Sequence, residues 1–187
     1  MNKSDINAWL VRDDSDLVNT IVTDVERHVA SLRSNGDVFY GYAVLPGDYC
    51  TQPDPASIVV AFNRESDIRR ENAQDVYYRY SVDEWQNYIH DGFDATNSLL
   101  KTLFDEFKQL HVDDPNNFQL DDTEVAYVAK INNAILNAMK TLKSNGTFET
   151  DTFVTIWFSD ADYDIIIDSA RMLNTPEIFE QFSSEFA

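Results

Sequence analysis

Apolar residues recur along this chain with two periods, and the switching between them lays out most of its elements. Leu17, Ile21, Val25, Val29 and Leu32, with Val18 and Val22 beside them, follow helical spacing and predict an amphipathic helix over 15–33. Asp13, Asp14 or Ser15 supplies its cap, and Ser34-Asn35-Gly36 ends it, with Asn or Gly taking the left-handed position. Trp9 and Leu10, just ahead, are expected to fold back as an apolar plug. Strand-like runs then occupy 37–45, rich in Phe39, Tyr40 and Tyr42, and 57–63, where Ile58 to Phe62 is apolar enough to be central in a sheet. A polar stretch from Glu65 to Gln74 reads as a short helix, and Val76-Tyr77-Tyr78-Arg79-Tyr80 as a third strand over 76–80. Breaks at Pro46-Gly47-Asp48 and Pro53-Asp54-Pro55 keep the connections short, which favours antiparallel neighbours.

The second half is mainly helical. Ser81-Val82-Asp83-Glu84 has the form of a capping box before Trp85. Phe93, Leu100, Leu103, Phe104, Phe107 and Leu110 share one side of a long helix starting near 93. A polar loop, 111–122, leads to the box-like Asp121-Asp122-Thr123-Glu124 and a helix carrying Val125, Val128, Ile131, Ile135, Met139 and Leu142. That helix stops at Ser144-Asn145-Gly146, the same cap chemistry as the first. Phe153 to Phe158 predicts a fourth strand within 152–158, whose neighbour cannot be read from sequence. Two further helices are expected, 163–173 and one opened by Thr175-Pro176-Glu177. Strands interrupted by long helical periods, without regular βαβ alternation, predict an α+β fold. It is expected to hold a central, mostly antiparallel sheet of at least four strands packed by several helices. The 187 residues form one domain, with 1–14 an N-terminal extension packing on it.

Charge changes this picture most. Thirty-three acids against fourteen Lys and Arg leave a net of −19, yet 43% of residues are apolar and 13% aromatic. Disordered acidic chains are poor in aromatics, so this chain folds and presents a strongly negative surface. Such a field repels nucleic acid and anionic membrane and accelerates encounter with a basic partner; acidity also serves plain solubility. The single Cys50 forms no intramolecular disulfide, fits a reducing compartment, and reads as an inert thiol, having no basic neighbour in sequence to activate it. No apolar run approaches the ~20 residues of a membrane span, and Met1 to Asp5 opens no signal peptide, so a cytoplasmic location is expected.

Catalytic chemistry finds little support. His28 sits within the first helix as a boundary residue of its packed face. His90 with Asp94, or His111 ahead of Asp113-Asp114, would supply two metal ligands where a site needs three or four. Asp160-Ala161-Asp162-Tyr163-Asp164 resembles the opening of a calcium loop, but Ile165 and Arg171 stand where that pattern requires Gly and Glu. Neither a glycine-rich phosphate loop nor a nucleophile elbow occurs. The residues therefore predict no catalytic group, no metal and no cofactor.

Several segments, in order, resemble an uncharacterised bacterial family, domain-of-unknown-function family 4303. They are Phe39-Tyr40-Gly41-Tyr42-Ala43, Tyr78-Arg79-Tyr80-Ser81-Val82-Asp83-Glu84-Trp85, Phe93-Asp94-Ala95-Thr96-Asn97, Ser159-Asp160 and Ser169-Ala170-Arg171-Met172-Leu173-Asn174. Together they span about positions 37 to 185; the polar stretch at 48–55 departs from the pattern as a local insertion. The resemblance implies an immunity protein that blocks a polymorphic toxin by binding it, and it carries over no catalytic residue. Trp85, Asn97 and Asn174 read as structural, Trp85 at the sheet-to-helix corner and Asn174 at a helix end.

An immunity protein needs no active site and gains on-rate from charge opposite to its target's. The expected partner is a cognate toxin with a basic surface, such as a nuclease, with neither nucleic acid nor membrane as partner. A non-catalytic small-molecule-binding or scaffold module is the alternative, and an enzyme the third reading. Candidate partner-binding acids are Asp113 and Asp114 in the long loop and Asp160, Asp162 and Asp164 after the last strand, where exposed loops on a rigid scaffold carry function. From Ser144 onward the chain holds nine acids and only Arg171 as a base.

Overall fold

Strands with apolar residues at every position need cover on both faces of their sheet. The computed structural model describes residues 3–47, 57–72, 74–111, 120–159 and 164–186. Readings placed on 48–56, 112–119 and 160–163, among them Cys50, Asp113, Asp114, Asp160 and Asp162, lie outside the described residues. In chain order the elements are α1 (Lys3–Leu10), α2 (Ser15–Ser34), β1 (Gly41–Pro46), β2 (Ile58–Asn63), α3 (Val76–Tyr80), β3 (Asn87–Ile89), α4 (Asp94–Leu110), α5 (Asp122–Ser144), β4 (Phe153–Ile156), α6 (Asp164–Leu173) and α7 (Pro176–Phe186). The four strands form one sheet in the order β3-β2-β1-β4. β1 runs antiparallel to β2, with Gly41 opposite Asn63, and β2 antiparallel to β3. β4 joins β1 in parallel, with Gly41 opposite Phe153. The fold is α+β with a mostly antiparallel sheet, as the sequence predicts.

Side-chain alternation splits the core in two. Tyr42, Val44, Val60, Phe62, Val154 and Ile156 face the layer of α1, α2, α4 and α5, where they meet Ile21, Val25, Phe104, Phe107 and Ile135. Ala43, Ala61, Phe153 and Trp157 face the other way, onto Tyr80, Val82, Trp85, Ala170 and Phe182. Each large side chain so buried contributes roughly 1.5–3 kcal/mol.

Helix ends follow the local chemistry closely. Gly36 and Gly146 take positive φ, 82° and 81°. The amides of Asp37 and Thr147 bond back to Leu32 O and Leu142 O, so α2 and α5 close in the same way. At the start of α5, Asp121 Oδ1 accepts from the amides of Thr123 and Glu124, and Glu124 Oε2 accepts from the Asp121 amide. α4 is capped differently. Its own cap residue, Phe93, has no side chain able to accept a bond, and Asp24 of α2 takes over. Asp24 Oδ2 accepts from the Thr96 amide at 3.0 Å and from Thr96 Oγ1 at 2.7 Å, with Arg27 bonded to its other oxygen. A carboxylate there also meets the positive end of the helix dipole.

The free edge of β4 is closed by side chains of α6 and the residue that follows it. Phe153 and Trp157 donate their amides to Tyr40 O and Val44 O, so the amides of Val154 and Ile156 point away from β1. Asn174 Oδ1 accepts from the Val154 amide and its Nδ2 donates to Val154 O, both at 2.7 Å. Ser169 Oγ accepts from the Ile156 amide at 3.0 Å.

Three expectations need correction. Residues 76–80 are not the third strand: they form α3, capped by Asp75, which accepts from the Tyr77 amide. Tertiary contacts override the β propensity of Val and Tyr here, because Tyr80 is drawn in against Phe153 and Phe182 and Arg79 lies over Tyr40. The third strand is instead the short Asn87–Ile89. Ser81 forms no side-chain cap; it is buried ahead of a single 3-10 turn, Val82–Glu84. Glu65 to Gln74 holds two 3-10 turns, Glu65–Asp67 and Arg70–Asn72, in place of one short helix.

Asp24 is 1% exposed and Thr96 fully buried, so Asp24→Ala strands the Thr96 donors without water. It should cost about 2–3 kcal/mol in denaturant unfolding, with Asp24→Asn costing less because it keeps an acceptor. His28, half-buried with Nδ1 2.9 Å from Tyr42 Oη, is held below its ordinary pKa of 6.5 by burial. Its proton is bound more tightly by the unfolded chain. Its contribution is therefore complete above pH 6.5 and lost as the pH falls from there through the depressed folded value. His28→Gln should flatten that slice of the stability-against-pH curve and leave the rest unchanged.

Candidate functional site

β1 and β4 are the parallel pair of the sheet, and their carboxyl ends open onto a cleft of about 620 Å³. Open α/β sheets bind ligands at such strand ends, and this volume lies within the ordinary range for ligand sites. One wall comes from the end of β1 (Leu45, Pro46) and Gly47 after it, another from α5 (Val125, Val128, Ala129, Asn132, Asn133). Trp157, Phe158 and Ser159 follow β4 into it, and Asp164, Ile165 and Asp168 bring the first turns of α6. Leu120 at 39% and Val125 at 53% exposure leave some apolar surface open there.

Two polar atoms in this lining lack partners. Asn132 Oδ1 and Trp157 Nε1 are buried and meet no hydrogen-bond partner among the described residues. Trp9 and Trp85 contrast with Trp157, since their indoles donate to Glu106 Oε2 at 2.9 Å and Arg79 O at 3.1 Å. Both atoms are closed off from solvent, and unpaired groups of this kind are uncommon inside folded proteins. The hydroxyl in the lining, Ser159 Oγ, donates to Asp83 Oδ1 at 2.6 Å. Asp164, exposed at the start of α6, and Asp168, half-buried and paired with Arg171 at 2.9 Å, give the cleft its negative side.

Of the acids expected to bind a partner, Asp164 therefore lies in the cleft, while Asp113, Asp114, Asp160 and Asp162 fall outside the described residues. Asn132 and Trp157 were not singled out by sequence reasoning. The available signal was weak: an Asn pair in the middle of α5, and an indole immediately after a short apolar strand.

A second cluster lies at the start of α5. His111 Nε2 is 3.3 Å from Asp121 Oδ2 and 3.9 Å from Glu124 Oε1, and three such donors within 4.8 Å of one another could hold a divalent cation. The third donor is the capping box, which brings Glu124 beside Asp121; the sequence pairing of His111 with Asp113 and Asp114 did not anticipate it. Each carboxylate already has one oxygen committed to that box, which explains the pair without a metal.

The model of the family described as Domain of unknown function (DUF4303) matches residues 17–175. The chain belongs to this family. No curated protein and no solved structure matches it. In this DUF4303 member the residues that carry the resemblance serve the backbone. Trp85 packs so closely on Gly41 that a Cβ there would lie 2.6 Å from the indole ring. Asn97 pairs with both Ile58 N and Ile58 O, beyond the end of β3, whose last residue sits opposite Val60. Asn174 does the same for Val154 and also caps α6 by donating to Ala170 O.

A buried acceptor without a donor costs about 1–3 kcal/mol. Asn132→Leu, near in shape, should therefore leave the fold intact and raise its thermal midpoint in a melting experiment. A lowered midpoint would show that Asn132 holds the structure.

Proposed function

We propose that this protein is an immunity protein, a non-catalytic cytoplasmic inhibitor that captures a basic toxin domain such as a nuclease. The observation that carries this reading is the chain's net charge of −19 on a folded, aromatic-rich scaffold, with Asp164 and Asp168 beside an apolar cleft. Even if all fourteen bases paired, nineteen of the thirty-three acids would stay unmatched. Many bases are in fact turned onto the chain's own carboxylates: Arg12 on Glu106, Arg64 on Asp37 and Asp67, Arg79 on Glu65, and the buried Lys130 on Asp14. They hold the fold and leave little positive charge to repel a cationic partner.

A binding role suits the cleft better than a catalytic one. Its hydroxyl is bonded to a carboxylate, and neither a histidine nor a cysteine stands among the described lining residues. The size of the cleft supports a small-molecule-binding module as the second reading. Among the described residues no helix is long and apolar enough to cross a membrane.

The test is to pair the chain with the C-terminal domain of any secreted protein encoded immediately upstream, and to measure complex formation and cell survival. Asp164→Lys should slow association roughly three- to tenfold at low salt, with the difference shrinking as salt rises. An isolated metabolic operon, or a neighbouring toxin domain that neither binds nor is neutralised, would remove the reading.

A further inference from the structure

We propose that His111, Asp121 and Glu124 bind a single zinc ion, which clips the end of α4 to the start of α5. The proposal stands apart from the toxin reading. The capping box accounts for Asp121 beside Glu124, but not for His111, which arrives from the other helix. His111 follows α4 as its cap residue, bonds its amide back to Phe107 O at 2.8 Å and stacks its ring on Phe107, centroids 5.2 Å apart. The ring so held directs Nε2 at α5, 3.3 Å from Asp121 Oδ2 and 3.9 Å from Glu124 Oε1.

The box sorts the oxygens. Asp121 Oδ1 accepts from the amides of Thr123 and Glu124, and Glu124 Oε2 from the amide of Asp121. In each carboxylate it is the other oxygen, Oδ2 or Oε1, that faces the imidazole. Backbone amides thus orient both ligands, as outer-shell partners do in metal sites. Donors held by one zinc at about 2.0–2.2 Å in a tetrahedron lie roughly 3.3–3.6 Å apart. The 3.3 Å between Nε2 and Asp121 Oδ2 is that spacing, and it exceeds the ~2.7–2.9 Å of a charge-assisted N–H···O bond. All three atoms lie within 4.8 Å of one another, so a small side-chain closure completes the set. The His111 and Glu124 side chains are 10% exposed and that of Asp121 46%, which makes Asp121 the side of entry. Nε2 itself is closed off from solvent, as a ligand atom hemmed in by its fellow ligands is. An imidazole among the donors selects zinc over magnesium and calcium, which take oxygen ligands, and the net charge of −19 draws a divalent cation in.

The test titrates the whole chain, stripped with a chelator and exchanged into fresh buffer near neutral pH, with zinc chloride in a calorimeter. One equivalent should bind, and zinc should raise the thermal midpoint. Asp121→Asn and Glu124→Gln keep an acceptor oxygen for the capping box and put an amide nitrogen where the oxygen faced His111. His111→Phe keeps the ring stacked on Phe107 without its nitrogens. All three should melt near the parent in chelator, which checks the fold. Loss of an outer-shell partner alone weakens metal binding about 10–100-fold, so each variant should weaken zinc at least about tenfold. His90→Gln, at an exposed position, should bind as the parent does. Millimolar magnesium or calcium should leave the zinc in place.

A stripped chain that takes up no zinc overturns the proposal, as does parent-like affinity in any of the three variants. Binding of several equivalents that none of the substitutions changes would mark scattered surface acids only, and it too removes the site. Displacement by magnesium or calcium counts against it in the same way, since an oxygen-only site would then be holding the ion.

Discussion

The free edge of β4 is the constraint around which the rest is arranged. A strand that pairs on one side only exposes alternate amides and carbonyls, and an open edge invites pairing with other chains. Here one primary amide and one hydroxyl close it: Asn174 meets both polar groups of Val154, and Ser169 meets the Ile156 amide. Bonds this short require the helix to lie almost against the strand. Small residues make that approach feasible, with Ser169 and Ala170 both fully buried. Once α6 is pinned along β4, its first turn must lie beyond the strand's carboxyl end. The cleft and its acids at 164 and 168 follow from that placement.

Polar side chains standing in for backbone recur through the fold. Asn97 continues the pairing of β2 where β3 has run out, and Asp24 caps a helix whose own cap residue is a phenylalanine. Each joins two segments far apart in sequence, and each is buried or partly buried, where a charge-assisted or amide bond is strong and its loss costly. They matter in a chain of net −19, whose self-repulsion weakens the compact state. The internal pairing of Arg64, Arg79 and Lys130 offsets part of that repulsion while leaving the outer surface acidic.

What was legible in the sequence was whatever depends on near neighbours. The helical stripe from Leu17 to Leu32, the Ser-Asn-Gly endings, the Asp121 box and the apolar runs of β1, β2 and β4 are all local signals. Reading failed where distant packing decides. Val76 to Tyr80 has strand-like composition but becomes a helix because Tyr80 fits between Phe153 and Phe182, far along the chain. β3 is three residues long and too short to announce itself. The parallel placement of β4 beside β1 depends on helices that lie between them in sequence, and the cleft combines four separated stretches. Asn132 could not be marked from sequence, since a mid-helix asparagine becomes unusual only when its surroundings withhold a donor.

The division between scaffold and cleft bears on how family membership should be used. The segments that carry the resemblance contain Gly41 with Trp85, Asn97 and Asn174, all of which hold backbone or strand edges. Most of the cleft's lining lies elsewhere: Leu120, Val125, Val128, Asn132 and Trp157 stand outside those segments. The lining is only partly independent of the sheet, because Trp157 also packs in the core and donates its amide to Val44 O. α5 is divided too, because its inner side is committed to the core through Ile131, Ile135 and Met139 while Val125 and Asn133 face outward. Membership of DUF4303 thus spans both the scaffold and the lining of the cleft, since the family match runs over residues 17–175.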